Sequence, residues 1–296
     1  MMAGVSGHRV GSTSPSSARE DLADAQSPRK QNRLLNKRQI GWLLLIYFVV
    51  RILLIDFLQL QGSIGNGLLA SGLEFGMYAL IATMLAGART TLHAYKIDRL
   101  SLILFVVFGL VVRAPSAVSD GLALELMLCA FGLIAPVLAI VIVRSRQVPG
   151  RWAPTNLNWL LIGLLSAVAL RFVVSALGTV VTASDLPIQA RGPVTAGGLL
   201  IGFLSFMGNS AVLEEPAFRG FLWGYLEEFR WRPIWIWFLQ AALFWLAHLR
   251  YIDSPYTFLV AVPAAGLLFG WLSWKSRSIA ASLFAHAAYN SIATYF

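Results

Sequence analysis

Residues 41–50 read GWLLLIYFVV and residues 102–112 read LILFVVFGLVV. Neither run alternates apolar with polar side chains, as a strand of a transmembrane barrel does. Both belong to longer apolar segments, and segments of roughly 20 residues can cross the ~30 Å hydrocarbon core as helices. The composition agrees. Of 296 residues, 57% are hydrophobic and 12% charged, with a mean hydropathy of +0.69. A soluble domain carries about 25% charged residues, so an ordinary cytosolic fold is excluded. The expected fold class is an all-α polytopic membrane protein, a bundle of about 8–9 transmembrane helices.

The net charge of +9 does not indicate a nucleic-acid partner. Residues 1–38 hold seven of the 23 basic residues, and most others fall in short loops between apolar segments, so no continuous basic face arises. The single cysteine, Cys129, excludes an internal disulfide and a CxxC metal site. Three regions are expected. Residues 1–37 form a disordered cytoplasmic tail, too poor in large apolar side chains to fold alone. Residues 38–154 form the N-terminal transmembrane helices, and 155–296 a second helical half. Helices are predicted at about 39–60, 64–87, 100–113, 120–143, 156–182, 195–226, 233–249, 256–274 and 278–295.

Charge placement tests nine crossings. With the N-terminus inside, the loops on the cytoplasmic side hold Arg89, Lys96, Arg99, Arg144, Arg146, Arg151, Arg230, Arg232, Lys275 and Arg277, whereas those outside hold Arg113, Arg191 and Arg250. Lys and Arg concentrate on the cytoplasmic side of membrane proteins. Ten against three predicts a multi-pass plasma-membrane protein with a cytoplasmic N-terminus.

Ionisable side chains near a bilayer centre cost at least about 2.5–3.5 kcal/mol each, so each needs a reason. Arg51, Asp56, Glu74, Glu125 and Arg171 stand alone in their helices or near an end and read as structural. Glu214, Glu215, Arg219, His248 and His286 come in patterns. In LEEPAFRG (213–220), Glu215 and Arg219 are spaced i,i+4 and can pair on one face. Glu214 projects about 100° away and is expected to remain free. Pro216 lacks an N–H and crowds the carbonyl of Val212, which predicts a kink. FWLAH places Phe244 and His248 at i,i+4, and HAAYN does the same for His286 and Asn290.

Together these groups can hydrolyse an acyl bond. A carboxylate and an imidazole can deprotonate water, while imidazole and carboxamide N–H groups can stabilise an oxyanion. The set Glu214, His248 and His286 is also a permissible zinc ligand set, though no HExxH occurs; metal and metal-free chemistry both remain open.

The ordered patterns EExxxR, FxxxH and HxxxN resemble the CPBP (Abi) family of intramembrane proteases, which includes the CAAX prenyl endopeptidase. The resemblance covers roughly residues 155–296. It implies a catalytic transmembrane core in which Glu214 and His248 activate water and His286 and Asn290 stabilise the oxyanion. Glu215, Arg219 and Phe244 would support the site. The implied partners are a lipid bilayer and a membrane-associated peptide, prenylated or bacteriocin-like. Two other readings use the same residues: a non-catalytic scaffold or immunity protein, and a proton-coupled transporter. The absence of an internal repeat counts against transport.

Overall fold

The structure, a computed structural model, describes residues 35–56, 67–89, 91–111, 155–182 and 194–295. The predicted helix at 120–143, with Glu125 and Cys129, lies outside these residues, as does the expected tail up to residue 34. Every described element is helical. They are α1 (Lys37–Phe48, continuing in π register over Val49–Asp56), α2 (Gly67–Gly87), α3 (Arg99–Val111) and α4 (Thr155–Thr182). A long composite helix follows, made of α5 (Ala196–Phe206), a π segment (Met207–Ala211), α6 (Val212–Glu215), a second π segment (Pro216–Leu222) and α7 (Trp223–Glu228). Then come α8 (Pro233–Leu246), a π turn (Thr257–Ala261) leading into α9 (Val262–Ser276), and α10 (Ala280–Ala293).

Local chemistry marks the boundaries. Asn36 and Gln39 form a reciprocal capping box at the start of α1, satisfying donors that a helix end leaves orphaned. Thr195 caps α5 through Gly198 N–H. Pro233 opens α8, where its missing N–H costs nothing. At Pro216 the same missing donor acts mid-helix: the register widens to π from this residue onward, and the Tyr47 hydroxyl donates to the neighbouring Leu213 carbonyl at 2.9 Å. Such π insertions gather at functional sites.

Two helices, Leu157–Val181 and Thr257–Ser276, are long and apolar enough to cross a membrane, and only 17% of the first is buried. A soluble core helix of that composition would be mostly covered. Here Leu157, Leu165, Val173 and Val180 face outward, as do Ile201, Trp235 and Leu259 on other helices. Exposed apolar area on this scale belongs to a lipid-facing surface. Without a hydrophobic drive between helices, close approach rests on small residues. A Cβ at Gly163 of α4 would stand 2.6 Å from the carbonyl oxygen of Ala281 in α10, and one at Gly202 2.7 Å from Ser291 Oγ.

The helix ends predicted to be cytoplasmic meet at one end of the described bundle. Leu35 N–H donates to Gly87 O, and Lys37 pairs with Glu228 at 3.1 Å. The Tyr95 hydroxyl reaches Glu228, Lys96 Nζ lies 3.5 Å from Glu227, and Ile279 N–H donates to Lys96 O. The turn 88–98, the end of α7 and the start of α10 therefore share one side. α2 therefore ends, and α3 and α10 begin, on the side where α7 ends.

Candidate active site

The middle of the composite helix carries the LEEPAFRG motif, and all its ionisable groups are buried: Glu214 is 4% exposed, Glu215 and Arg219 are fully covered. The expected pair forms, with Arg219 Nη1 3.3 Å from Glu215 Oε1. Arg219 also donates through Nη2 to the Gly266 carbonyl on α9, and its guanidinium stacks 4.3 Å from the Phe244 ring centroid. Phe244 in turn packs 4.5 Å from the His248 ring and edge-on to Phe218 and Phe269. This side chain is the apolar hub of the site.

Glu214 is not free, contrary to the sequence expectation. Arg51, from the π segment that extends α1, donates through Nη2 to Glu214 Oε1 at 2.8 Å, and both side chains are buried. A buried carboxylate needs a compensating charge; the cation that bonds it here lies 163 residues away, beyond any local spacing rule. Arg51, read from sequence as a solitary structural residue, is thus a member of the site. The second oxygen, Glu214 Oε2, is buried and accepts no hydrogen bond among the described residues.

That oxygen faces both histidines. His248 Nε2 and His286 Nε2 each lie 3.9 Å from Glu214 Oε2. Each ring is oriented from behind. α8 stops at Leu246, earlier than expected, and His248 adopts φ −131° and ψ 29°. Its N–H bonds to Trp245 O, one residue short of the helical partner. The Phe244 carbonyl then lacks that donor and takes the His248 ring, with Nδ1 2.7 Å away. A carbonyl only accepts, so Nδ1 carries the proton and Nε2 offers its lone pair. His286 Nδ1 lies 2.8 Å from Glu215 Oε1. Glu215 therefore bridges Arg219 and His286, and the ionic layer beneath the site connects three helices.

These groups line a cavity of about 400 Å³. Glu214, Phe244, His248 and His286 form its inner part; Asn290, one turn beyond His286 and half-buried, lines the same wall with Tyr289. The structure thus collects Glu214, His248, His286 and Asn290 around one space and sets Glu215, Arg219 and Phe244 behind them. Among the described residues, no three His, Cys, Asp or Glu side chains stand as a metal-ligand group, and one oxygen of Glu214 is committed to Arg51. Glu214, His248 and His286, the permissible zinc set of the sequence, are not among such groups.

Residues 196–292 match the family model described as Rce1-like, type II CAAX prenyl endopeptidase Rce1-like. No curated protein and no solved structure matches the chain. The matched span runs from the start of α5 almost to the end of α10 and contains every motif residue named above. This third of the chain is therefore similar to the CPBP/CAAX proteases.

Proposed function

We propose that the protein is an intramembrane endopeptidase that hydrolyses a membrane-associated peptide with a water molecule activated by Glu214 and His248. The observation that carries this reading is the convergence of Glu214 Oε2 with His248 Nε2 and His286 Nε2, at 3.9 Å each, on the inner wall of a cavity. Two acceptors so spaced can both receive hydrogen bonds from one water.

The chemistry follows from the tautomers. His248, its Nδ1–H held by Phe244 O, accepts a proton at Nε2 as the water oxygen attacks the peptide carbonyl. Glu214, oriented by Arg51, supplies the adjacent negative charge and a second acceptor. The developing oxyanion is met by the Asn290 carboxamide and by Nε2–H of His286 in its doubly protonated form, for which Glu215 and Glu214 are the counter-charges. The proton gathered on Glu214 and His248 then passes to the leaving amine. No covalent enzyme intermediate is needed, and no step is routed through a metal.

The test begins with the membrane peptides that accumulate in cells lacking the protein, offered to the purified protein. Glu214→Gln and His248→Ala are expected to reduce cleavage by about 10²–10⁴-fold, the usual contribution of acid–base groups. Asn290→Ala should cost about 10²–10³-fold, as for an oxyanion donor. Full cleavage by either of the first two variants at normal abundance overturns the mechanism. Loss of abundance in all variants favours a bracing role for these residues.

A further inference from the structure

We infer that the catalytic cavity opens on the extracytoplasmic face, so that its substrate is an exported peptide at the outer leaflet rather than the lipidated tail of a cytoplasmic protein. This rests on the hydrolase reading for the word substrate, but its geometry stands apart from it.

The first observation is the joined helix ends. The segments tied together by Leu35–Gly87, Lys37–Glu228, Lys96–Glu227 and Ile279–Lys96 contacts occupy one end of the described bundle. That end carries Lys37, Arg38, Arg89, Lys96, Arg99, Arg230, Arg232, Lys275 and Arg277. One turn at the opposite end, residues 247–256, is described, and it carries a single basic residue, Arg250. Short loops rich in Lys and Arg stay in the cytoplasm, and here the tertiary contacts, not a helix count, gather them onto one side.

The second observation is the direction of the cavity. Its lining begins at Glu214, Phe269 and His286 and continues through Phe206, Ala261 and Tyr289 to Arg250, Thr257 and Thr294. The last three belong to the turn after α8, the start of the π turn before α9 and the end of α10, which lie away from the basic end. Toward the basic end, the structure is filled. Glu214 precedes Glu228 along the composite helix, and that interval holds Arg219, Phe218, Phe221 and Trp223, all fully buried. Gln240 closes the α8 side, donating to Trp237 O and Gly266 O. The lining thus runs from the catalytic groups toward the Arg250 end, while buried side chains fill the layer toward the basic end.

Single cysteines in a Cys129→Ser background test the assignment: Ile252→Cys and Ser254→Cys at the cavity end, Arg232→Cys and Lys275→Cys at the basic end. Intact cells are treated with a membrane-impermeant maleimide. Labelling of the first two in intact cells, with the second two labelled only after permeabilisation, is the expected result. The reverse pattern overturns the inference, and so does labelling of both ends in intact cells. A second arm adds a peptide cleaved by the purified protein to the outside of right-side-out and inverted vesicles; cleavage confined to inverted vesicles also overturns it. Because labelling needs no catalysis, an inactive protein with the expected pattern would refute only the hydrolase reading.

Discussion

Replacing Arg51 by Met deletes one partner of an ion pair whose members are only 7% and 5% exposed at the side chain. The attraction itself is not what is lost, because it offsets the desolvation of both groups. What remains is a carboxylate at 4% exposure with Oε2 already lacking a hydrogen bond. Breaking a buried pair in this way costs about 3–5 kcal/mol. For a chain of this size, each kcal/mol lowers Tm by about 2–4 °C, so the drop should be about 6–20 °C. Glu214→Gln alone removes the carboxylate charge that faces the buried Arg51 and should also destabilise. The double variant Arg51→Met with Glu214→Gln leaves neither charge, and most of the cost should return. Thermal unfolding of the detergent-purified proteins gives the full double-mutant cycle, with a coupling energy of several kcal/mol expected between residues in contact. If the two single effects simply add in the double variant, Arg51 does not compensate Glu214, and the charge arrangement of the site described above is wrong.

Other perturbations probe separate parts of the account. Gly163→Ala places a Cβ 2.6 Å from the Ala281 carbonyl oxygen, a backbone atom that cannot swing aside; overpacking of this kind costs about 1–3 kcal/mol and should lower Tm without altering the rate per folded molecule. In the turn before α3, burial pushes the Lys96 ammonium down to about 7, against the opposing pull of Glu227. Between that value and the ordinary lysine range, the unfolded chain binds a proton that the folded chain does not, so stability should rise with pH above 7. Lys96→Met should flatten this slope in unfolding measurements from pH 7 to 9, and an unchanged slope would contradict the assignment.

Most residues of the candidate site stood out in the sequence because membrane helices expose their anomalies. Glu214, Glu215, Arg219, His248, His286 and Asn290 stand out against apolar neighbours, and i,i+4 spacing correctly paired Glu215 with Arg219. Hydropathy and punctuation also located the described segments, including the long composite helix, within a few residues. Four features were hidden for physical reasons. The Arg51–Glu214 pair depends on tertiary packing of α1 against the composite helix. The early stop of α8 converts His248 from a helix-face residue into one held by the Phe244 carbonyl, and no residue near Leu246 announces that stop. Pro216 signalled a disturbance, but the answer is a widened π register with Tyr47 on Leu213 O, where the proline's missing donor and ring clash suggested a kink. Glu215 was expected to brace Arg219; that it also orients His286 follows only from the position of α10.

The central claim is that Glu214 takes part in the chemistry and is not merely a strut for Arg51. Single-turnover cleavage of a peptide substrate by purified Glu214→Gln, in the Arg51→Met background that restores charge balance, tests it most directly. The account predicts a protein with Tm near the parent and cleavage lowered by at least about 10²-fold, the lower bound for a lost acid–base group. Parent-level cleavage by that stable double variant would contradict it.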